Sequence, residues 1–321
     1  MILKKPSAWE IAVLGAGTMG LSIAQFFAMH HHTVQLYNRT PANLEKALRQ
    51  IEDNLKTLLS MEMIEQGEIA RVLSYIHGGG DLKAAVQTAD LIIENVAENV
   101  ELKKTIFSKL DEYCKEDAIL ASDTSSMNIF EIVETSHPER LLITHFFNPA
   151  YVMPLVELVR GPETSDEVIE AAKTLMRASG KEPVVVNKVV PGFIVNRLTF
   201  ALFREAAYMV EQGWCSAEDV DAAVVSTYGP RYTFEGPFGL VDFAGVDTYE
   251  KISEYLLPEL CNDQAVPHML REMNEGGKLG VKSGEGFYSY QDSVQARADR
   301  DRRIIKMIHA IGKVNKQFLI Q

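Results

Sequence analysis
A histidine and a glutamate flank a short Pro-bounded segment: Thr144-His145-Phe146-Phe147-Asn148-Pro149 is followed by Met153-Pro154-Leu155-Val156-Glu157-Leu158. Leu141-Leu142-Ile143 and Leu155-Val156 have the apolar character of short strands, and the prolines between them predict a turn. The chain therefore reverses between the two residues, which brings an imidazole within reach of a carboxylate. Such a carboxylate raises the basicity of an imidazole and fixes its tautomer, as a general base near neutral pH requires. A strand histidine on its own is more often a half-buried structural residue, so its surroundings have to decide.

The elements that must position this pair begin near the N-terminus. Trp9 to Leu14 has strand character and runs into Gly15-Ala16-Gly17-Thr18-Met19-Gly20, after which Leu21, Ala24, Phe27 and Ala28 keep helical spacing. Strand, G-x-G-x-x-G and helix in that order form a pyrophosphate site. The first glycine makes the tight turn, the second admits the phosphate and the third lets helix pack on strand. Thr33 to Tyr37 is the expected second strand, followed by Asn38-Arg39-Thr40-Pro41, with Thr40 as N-cap and Pro41 at the first helical position. The carboxylate that usually holds the ribose 2′-hydroxyl belongs near position 38, where this chain has Asn38. Its loss removes repulsion against a 2′-phosphate, and Arg39 with Thr40 could bind one, so the reading leans toward NADP(H) over NAD(H). The competing reading has Asn38 bonding the 2′-hydroxyl while Arg39 faces solvent.

Further alternation continues a doubly wound α/β pattern. Leu44, Leu48, Ile51, Leu55 and Leu58 mark a helix, and a second helical segment through Ile64, Ala70 and Leu73 is expected to end before Gly78-Gly79-Gly80. Leu91-Ile92-Ile93 and Ala118-Ile119-Leu120 read as buried strands, with a helix from Val100 to Tyr113 between them. Glu94, Asn95 and Glu98 then fall at a strand end, where open α/β sheets place their ligands, although capping roles suit them equally. Val184-Val185-Val186 is the expected last strand and Val189 to Gly192 the linker. Helices are expected from Ile194 to Gln212, from a capping arrangement at Ser216-Ala217-Glu218-Asp219, from Tyr249 to Leu257 and from His268 to Met273. The fold class is therefore a Rossmann-type doubly wound sheet domain over residues 1–190, followed by a smaller all-α domain over 191–321.

Bulk composition narrows the function classes. The 321 residues carry a formal net charge of -12 with no basic run to track a phosphate backbone, which argues against nucleic acid. Cys114, Cys215 and Cys261 are too widely spaced for a metal site and odd in number, as expected in a reducing cytoplasm. Met1-Ile2-Leu3-Lys4-Lys5-Pro6 lacks the apolar region of a signal peptide, and no apolar run reaches membrane-spanning length.

The ordered set of motifs resembles a known family. Gly15-Ala16-Gly17-Thr18-Met19-Gly20, Glu98-Asn99, Ser122-Asp123-Thr124-Ser125-Ser126 and His145-Phe146-Phe147-Asn148-Pro149 come first. Pro191-Gly192-Phe193-Ile194-Val195-Asn196-Arg197 and Gly284-Glu285-Gly286-Phe287-Tyr288 follow. Together they resemble the L-3-hydroxyacyl-CoA dehydrogenase family, with its 3-hydroxybutyryl-CoA dehydrogenases and its lambda-crystallin/gulonate dehydrogenase branch, from about Ile11 to Tyr290. The resemblance implies that His145 is the general base, that Glu157 orients it, and that Ser125, Asn196 and Asn148 hydrogen-bond the reacting oxygen. It implies an NAD(P) cofactor, a homodimer formed through the helical domain, and catalysis in the cleft between domains. Taken singly, Ser125 reads as a turn residue and Asn196 as a capping amide.

Three departures from the family pattern stand out, the first bearing on local hydrogen bonding and the other two on the substrate. The family usually has Asn at the position of Asp123. Acyl-CoA members carry basic residues on the helical hairpin after the second strand, whereas Ile51 to Gly80 has only Lys56 and Arg71 against Glu52, Asp53, Glu62, Glu65 and Glu68. Such a hairpin repels an anionic nucleotide handle. Tyr228 to Phe234 resembles the branch acting on free hydroxy acids, with Arg231 suited to a carboxylate or, equally, to solvent. The first reading is oxidation of a short-chain L-3-hydroxyacyl-CoA to its 3-keto form; a free 3-hydroxy acid is the alternative. Other readings are a non-catalytic crystallin-like protein and a C=N reductase. Past Tyr290 a charged tail carries Ile304, Met307, Ile308 and Ile311 at helical spacing, to pack on the helical domain or a partner subunit.

Overall fold
Short apolar runs with no polar face can only be strands covered on both sides, and most strands of this chain are of that kind. The computed structural model describes residues 9–318, with side chains described through residue 312. The reading of Met1 to Pro6 lies outside the described residues. Eight strands form one sheet: β1 (Glu10–Leu14), β2 (Thr33–Tyr37), β3 (Ile76–Gly79), β4 (Leu91–Glu94), β5 (Ile119–Ser122), β6 (Leu141–Phe146), β7 (Leu155–Arg160) and β8 (Glu182–Val186). Their order is β3-β2-β1-β4-β5-β6-β7-β8. Every pairing is parallel except β6 with β7, which is antiparallel. The sheet order reverses direction between β1 and β4, the switch point where open α/β sheets bind ligands at the C-terminal strand ends. All four residues of β4 and all six of β6 are buried.

Among the described residues this unit has seven α-helices: α1 (Thr18–Met29), α2 (Pro41–Ser60), α3 (Glu68–Ser74), α4 (Leu82–Val86), α5 (Val100–Tyr113), α6 (Ile129–Ile132) and α7 (Asp166–Ala178). Phe107, Leu110, Ile92, Leu120 and Ile143 lie in one core cluster with Ala12 and Leu14 of β1. Two expectations need correction. The helix expected before Gly78-Gly79-Gly80 is α3 and ends at Ser74, but it starts at Glu68 and leaves Ile64 outside, and Ile76–Gly79 then forms a strand paired with β2 in register Val34↔Ile76. Gly78 lets the Leu44 side chain of α2 pack close there, since a Cβ would lie 2.9 Å from it and the leucine would have to shift. Thr40 occupies the N-cap position of α2, but its side chain makes no capping bond; its N–H donates to Asn38 Oδ1 at 2.9 Å instead.

The first compact unit ends at Ile194 and the second begins at Val195. The second unit is helical: α8 (Val195–Glu211), α9 (Ala217–Arg231), α10 (Pro237–Ala244), α11 (Val246–Leu256), α12 (His268–Glu275) and α13 (Ser293–Phe318). The capping box expected at Ser216 is formed in both directions with Asp219. Arg231 is not in a loop: α9 runs through Pro230 to end on it, and it is exposed. On α13, Ile304, Ile308 and Ile311 are half-buried, Met307 is exposed and Ile305 is the buried residue. Among the described residues no helix is long and apolar enough to cross a membrane.

One buried ion pair braces the strand ends. Lys103 of α5 donates to both oxygens of Glu94 at 2.8 Å, and both side chains are essentially inaccessible. Ser122 Oγ and the Val96 N–H also donate to Glu94, at 2.6 and 2.8 Å, so the carboxylate is fully served. Lys103→Met strands that carboxylate. The expected loss is about 3–5 kcal/mol of unfolding free energy in urea titration, and a loss below about 1 kcal/mol would contradict the bracing role.

Candidate functional site
The glycine-rich loop leaves β1 at the switch point. Gly15 has φ +123° and a Cβ on it would lie 2.2 Å from the Asn95 carbonyl oxygen, so only glycine fits. A Cβ on Gly20 would lie 1.9 Å from the Gly15 oxygen, which explains the close seating of α1. Gly17 differs: it is exposed, with nothing within 4 Å of a Cβ position. Thr18 and Met19 open α1, whose first-turn N–H groups and positive dipole end face this open space, and no acidic side chain stands in that turn. The loop thus fits a dinucleotide pyrophosphate. Asn38 follows β2, bonded through its N–H to Gly79 O at 3.1 Å, while Arg39 and Thr40 are exposed.

The histidine and glutamate meet across the antiparallel pair. Register places His145 of β6 opposite Glu157 of β7, and His145 Nδ1 lies 2.7 Å from Glu157 Oε2. Glu157 is wholly buried and His145 is 6% exposed. A carboxylate accepts only, so Nδ1 carries the proton and Nε2 is left as the basic nitrogen. The second carboxylate oxygen accepts the Ile194 N–H at 2.9 Å. Phe193 stacks edge-on to the imidazole at 5.6 Å and Phe147 lies 4.6 Å from it, so the ring is gripped by aromatic neighbours. Phe193 has φ +49° after Gly192 at +80°, a backbone that side chains rarely adopt and that costs about 1–2 kcal/mol. The Pro191-Gly192-Phe193-Ile194 segment therefore supplies parts of the site, Phe193 and the Ile194 N–H, that residue chemistry alone did not single out.

Neighbouring loops are fixed by charge. Glu98 Oε1 accepts from Thr124 Oγ1 at 2.8 Å and from the Ser125 N–H at 3.1 Å, which shapes the loop that presents the exposed Ser125. Asn99 is the N-cap of α5, accepting from Leu102 N–H at 2.9 Å. Asn148 is exposed at the turn after β6, preceding a cis bond to Pro149. That turn is strapped by Lys181, whose buried ammonium donates to the carbonyls of Ala150 and Met153 and lies 4.3 Å from the Phe26 ring centre. Burial pushes the Lys181 amine down to about 7. The first unit thus brings His145 and Glu157 into contact and seats Glu98 against the Ser125 loop. Asn196 sits in the first turn of α8 and Arg231 at the end of α9, in the second unit. On the α2–α3 hairpin, Lys56 is paired with Glu52 at 2.7 Å, Arg71 with Glu68 and Arg49 with Glu45 at 2.6 Å, and Lys46 is exposed.

The sequence and fold match known proteins throughout. Residues 10–189 match the family model described as 3-hydroxyacyl-CoA dehydrogenase, NAD binding domain, and residues 192–290 that described as 3-hydroxyacyl-CoA dehydrogenase, C-terminal domain. The 5-formyl-3-hydroxy-2-methylpyridine 4-carboxylate 5-dehydrogenase of Mesorhizobium japonicum is 34% identical, over 92% of this chain and 96% of its own. The 3-hydroxybutyryl-CoA dehydrogenase of Clostridioides difficile is 36% identical, over 88% of this chain and 99% of its own. A solved structure of a 5-formyl-3-hydroxy-2-methylpyridine 4-carboxylic acid 5-dehydrogenase, described as an NAD+ dependent dismutase, superposes with a TM-score of 0.86. It is 33% identical and covers 95% of this chain and 99% of its own.

Proposed function
The chain belongs to the 3-hydroxyacyl-CoA dehydrogenase family of NAD-dependent oxidoreductases, and on that premise we propose that it oxidises a secondary or primary alcohol reversibly, with His145 as general base. The observation that carries this is the 2.7 Å contact of His145 Nδ1 with the buried Glu157 carboxylate. Bound at the Gly15–Gly20 loop, the nicotinamide dinucleotide supplies the hydride acceptor. His145 Nε2 takes the hydroxyl proton, and Glu157 stabilises the imidazolium that results while holding the ring in place. Ser125 and Asn148 are assigned to hydrogen-bond the reacting oxygen, and the family pattern gives Asn196 the same task. Glu98 keeps the Ser125 loop beside the dinucleotide.

For the substrate we favour a free hydroxy acid over a CoA thioester. The stretch from Ile51 to Gly80 is acidic, and its two cations, Lys56 and Arg71, are already paired with Glu52 and Glu68, which weighs against the phosphates of a nucleotide handle. Likeness over nearly the whole chain to a dehydrogenase of a pyridine carboxylate supports the same choice, and Arg231 is the carboxylate partner proposed. The short-chain L-3-hydroxyacyl-CoA reading, first on the sequence alone, becomes the second, favoured by the family models and by relatives named for such substrates. For the cofactor, the proposal beyond NAD is that Asn38-Arg39-Thr40 also accepts the 2′-phosphate of NADP(H). Dinucleotide binding is assigned to residues 1–190 and self-association to 191–321. Three half-buried, unpaired cysteines suit a cytoplasmic setting.

Initial rates of NADH and NADPH oxidation, each with acetoacetate and with acetoacetyl-CoA, test these readings together. Free acetoacetate is expected to be reduced and the thioester poorly; the reverse preference would transfer the assignment to acyl-CoA. His145→Ala is expected to cost about 10²–10⁴-fold in turnover and to spare cofactor binding, and unchanged turnover would remove the base. Arg39→Ala is expected to weaken NADPH selectively, whereas equal losses for both cofactors would remove the phosphate contact.

The homodimer is proposed from the family pattern and from apolar side chains left open on the second unit. Phe200 of α8 is 68% exposed, and Phe238 and Phe243 of α10 are 86% and 85% exposed. Light scattering is expected to give twice the chain mass, and a monomer mass at working concentration would end the proposal.

A further inference from the structure
A single carboxylate links the dinucleotide loop to the histidine strand. Asp123 lies just beyond β5, its N–H bonded to Glu94 O at 2.9 Å. Its Oδ1 accepts the N–H of Phe146, the neighbour of His145, at 2.8 Å. Its Oδ2 accepts from the side-chain amide of Asn95. Asn95 is in turn wedged into the glycine loop. Its N–H donates to Leu14 O at 2.8 Å. Its carbonyl fills the space a Gly15 Cβ would need, and its Oδ1 lies 3.4 Å from a Gly20 Cβ position.

We propose that Asp123 is a positioning residue that couples the seating of the dinucleotide loop to the placement of His145. The coupling rests on the reading of His145 as the base. Only a carboxylate can do this as observed, because both of its partners are donors. An amide at the same position offers one acceptor and one donor, and so would oppose the Asn95 N–H unless the Asn95 side chain turned over. Bonds to an ionised acceptor are also stronger than those to a neutral one.

The same geometry makes the link sensitive to pH. The charged groups around Asp123 are Glu94 at the end of β4, Lys103 on α5 and the titratable His145 on β6, and Glu94 and Lys103 neutralise each other at 2.8 Å. Asp123 retains some accessible surface, yet its carboxyl is enclosed closely enough that burial pushes it up to about 8. Below that pH one of the two oxygens becomes a donor, so the carboxyl no longer offers a full acceptor to each of Asn95 and Phe146. The bridge is complete above it.

NADH affinity, read from the fluorescence of the reduced nicotinamide without turnover, should be measured from pH 6 to 10 for the full-length protein and for Asp123→Asn, with kcat alongside. The wild-type Kd is expected to tighten about 3- to 10-fold through pH 8, the effect of regaining one hydrogen bond. Asp123→Asn is expected to lack that step in both Kd and kcat and to stay at the wild-type low-pH level. Asn95→Ala removes the same bond from the other side, so its loss and that of Asp123→Asn should not add in the double variant. A step that persists in Asp123→Asn, or losses that add, would overturn the proposal. The affinity arm still decides if His145→Ala proves active, because it does not depend on which residue is the base.

Discussion

The contact between His145 Nδ1 and Glu157 Oε2 depends on one irregularity in an otherwise parallel sheet. A parallel neighbour of β6 would need a long crossover and would present its own C-terminal end at the same edge. Here the chain turns back within the segment from Phe147 to Pro154, and the antiparallel register sets residue 145 directly opposite 157. Side chains opposite each other on an antiparallel pair have Cβ atoms about 4.5–5.5 Å apart, which suits an imidazole–carboxylate hydrogen bond. The rest of the site serves this contact. Ile194 satisfies the other carboxylate oxygen, Phe147 and Phe193 limit the ring, and Lys181 holds the turn.

Polar groups at the strand ends carry the remaining organisation. Glu94, at the end of β4, is held by Lys103, Ser122 and a backbone N–H, and its own carbonyl holds Asp123. Asp123 then joins Asn95 to Phe146, so the glycine loop and the histidine strand share one hydrogen-bonded edge. This arrangement has a thermodynamic consequence. A carboxyl held above its ordinary range makes the folded state keep a proton that the unfolded chain has released, so ionising Asp123 lowers stability as pH rises from about 4 toward 8. The ionised form that completes the bridge is therefore the less stable one.

Much of this was legible in the sequence because its signals are local. The strand, glycine loop and helix order gave the switch point, and the two Pro-bounded apolar runs gave the reversal that pairs His145 with Glu157. β3 was not legible, because its His77-Gly78-Gly79 segment has little strand propensity and is held by pairing with β2 and by contact with Leu44. α7 was not read from the sequence, although its signals are local: Ser165 caps it through the Val168 N–H, and Asp166 and Glu167 fill its first turn. Lys103 and Lys181 were not singled out, since nothing nearby in the chain reveals that each is buried against partners supplied by the fold. Asp123 was visible only as a departure from the family pattern, and its two donors come from 28 residues before and 23 after it. Thr40 marks the opposite limit, where the correct residue at a cap makes no cap bond.

The central claim is that a carboxylate-held imidazole takes the substrate proton, and Glu157→Gln tests it most directly. The amide fills the same space but can no longer stabilise the imidazolium or enforce one tautomer. The account predicts a fall in kcat of about 10²–10⁴-fold with NADH affinity kept close to wild type. A Glu157→Gln protein that turns over within a few-fold of wild type would contradict it.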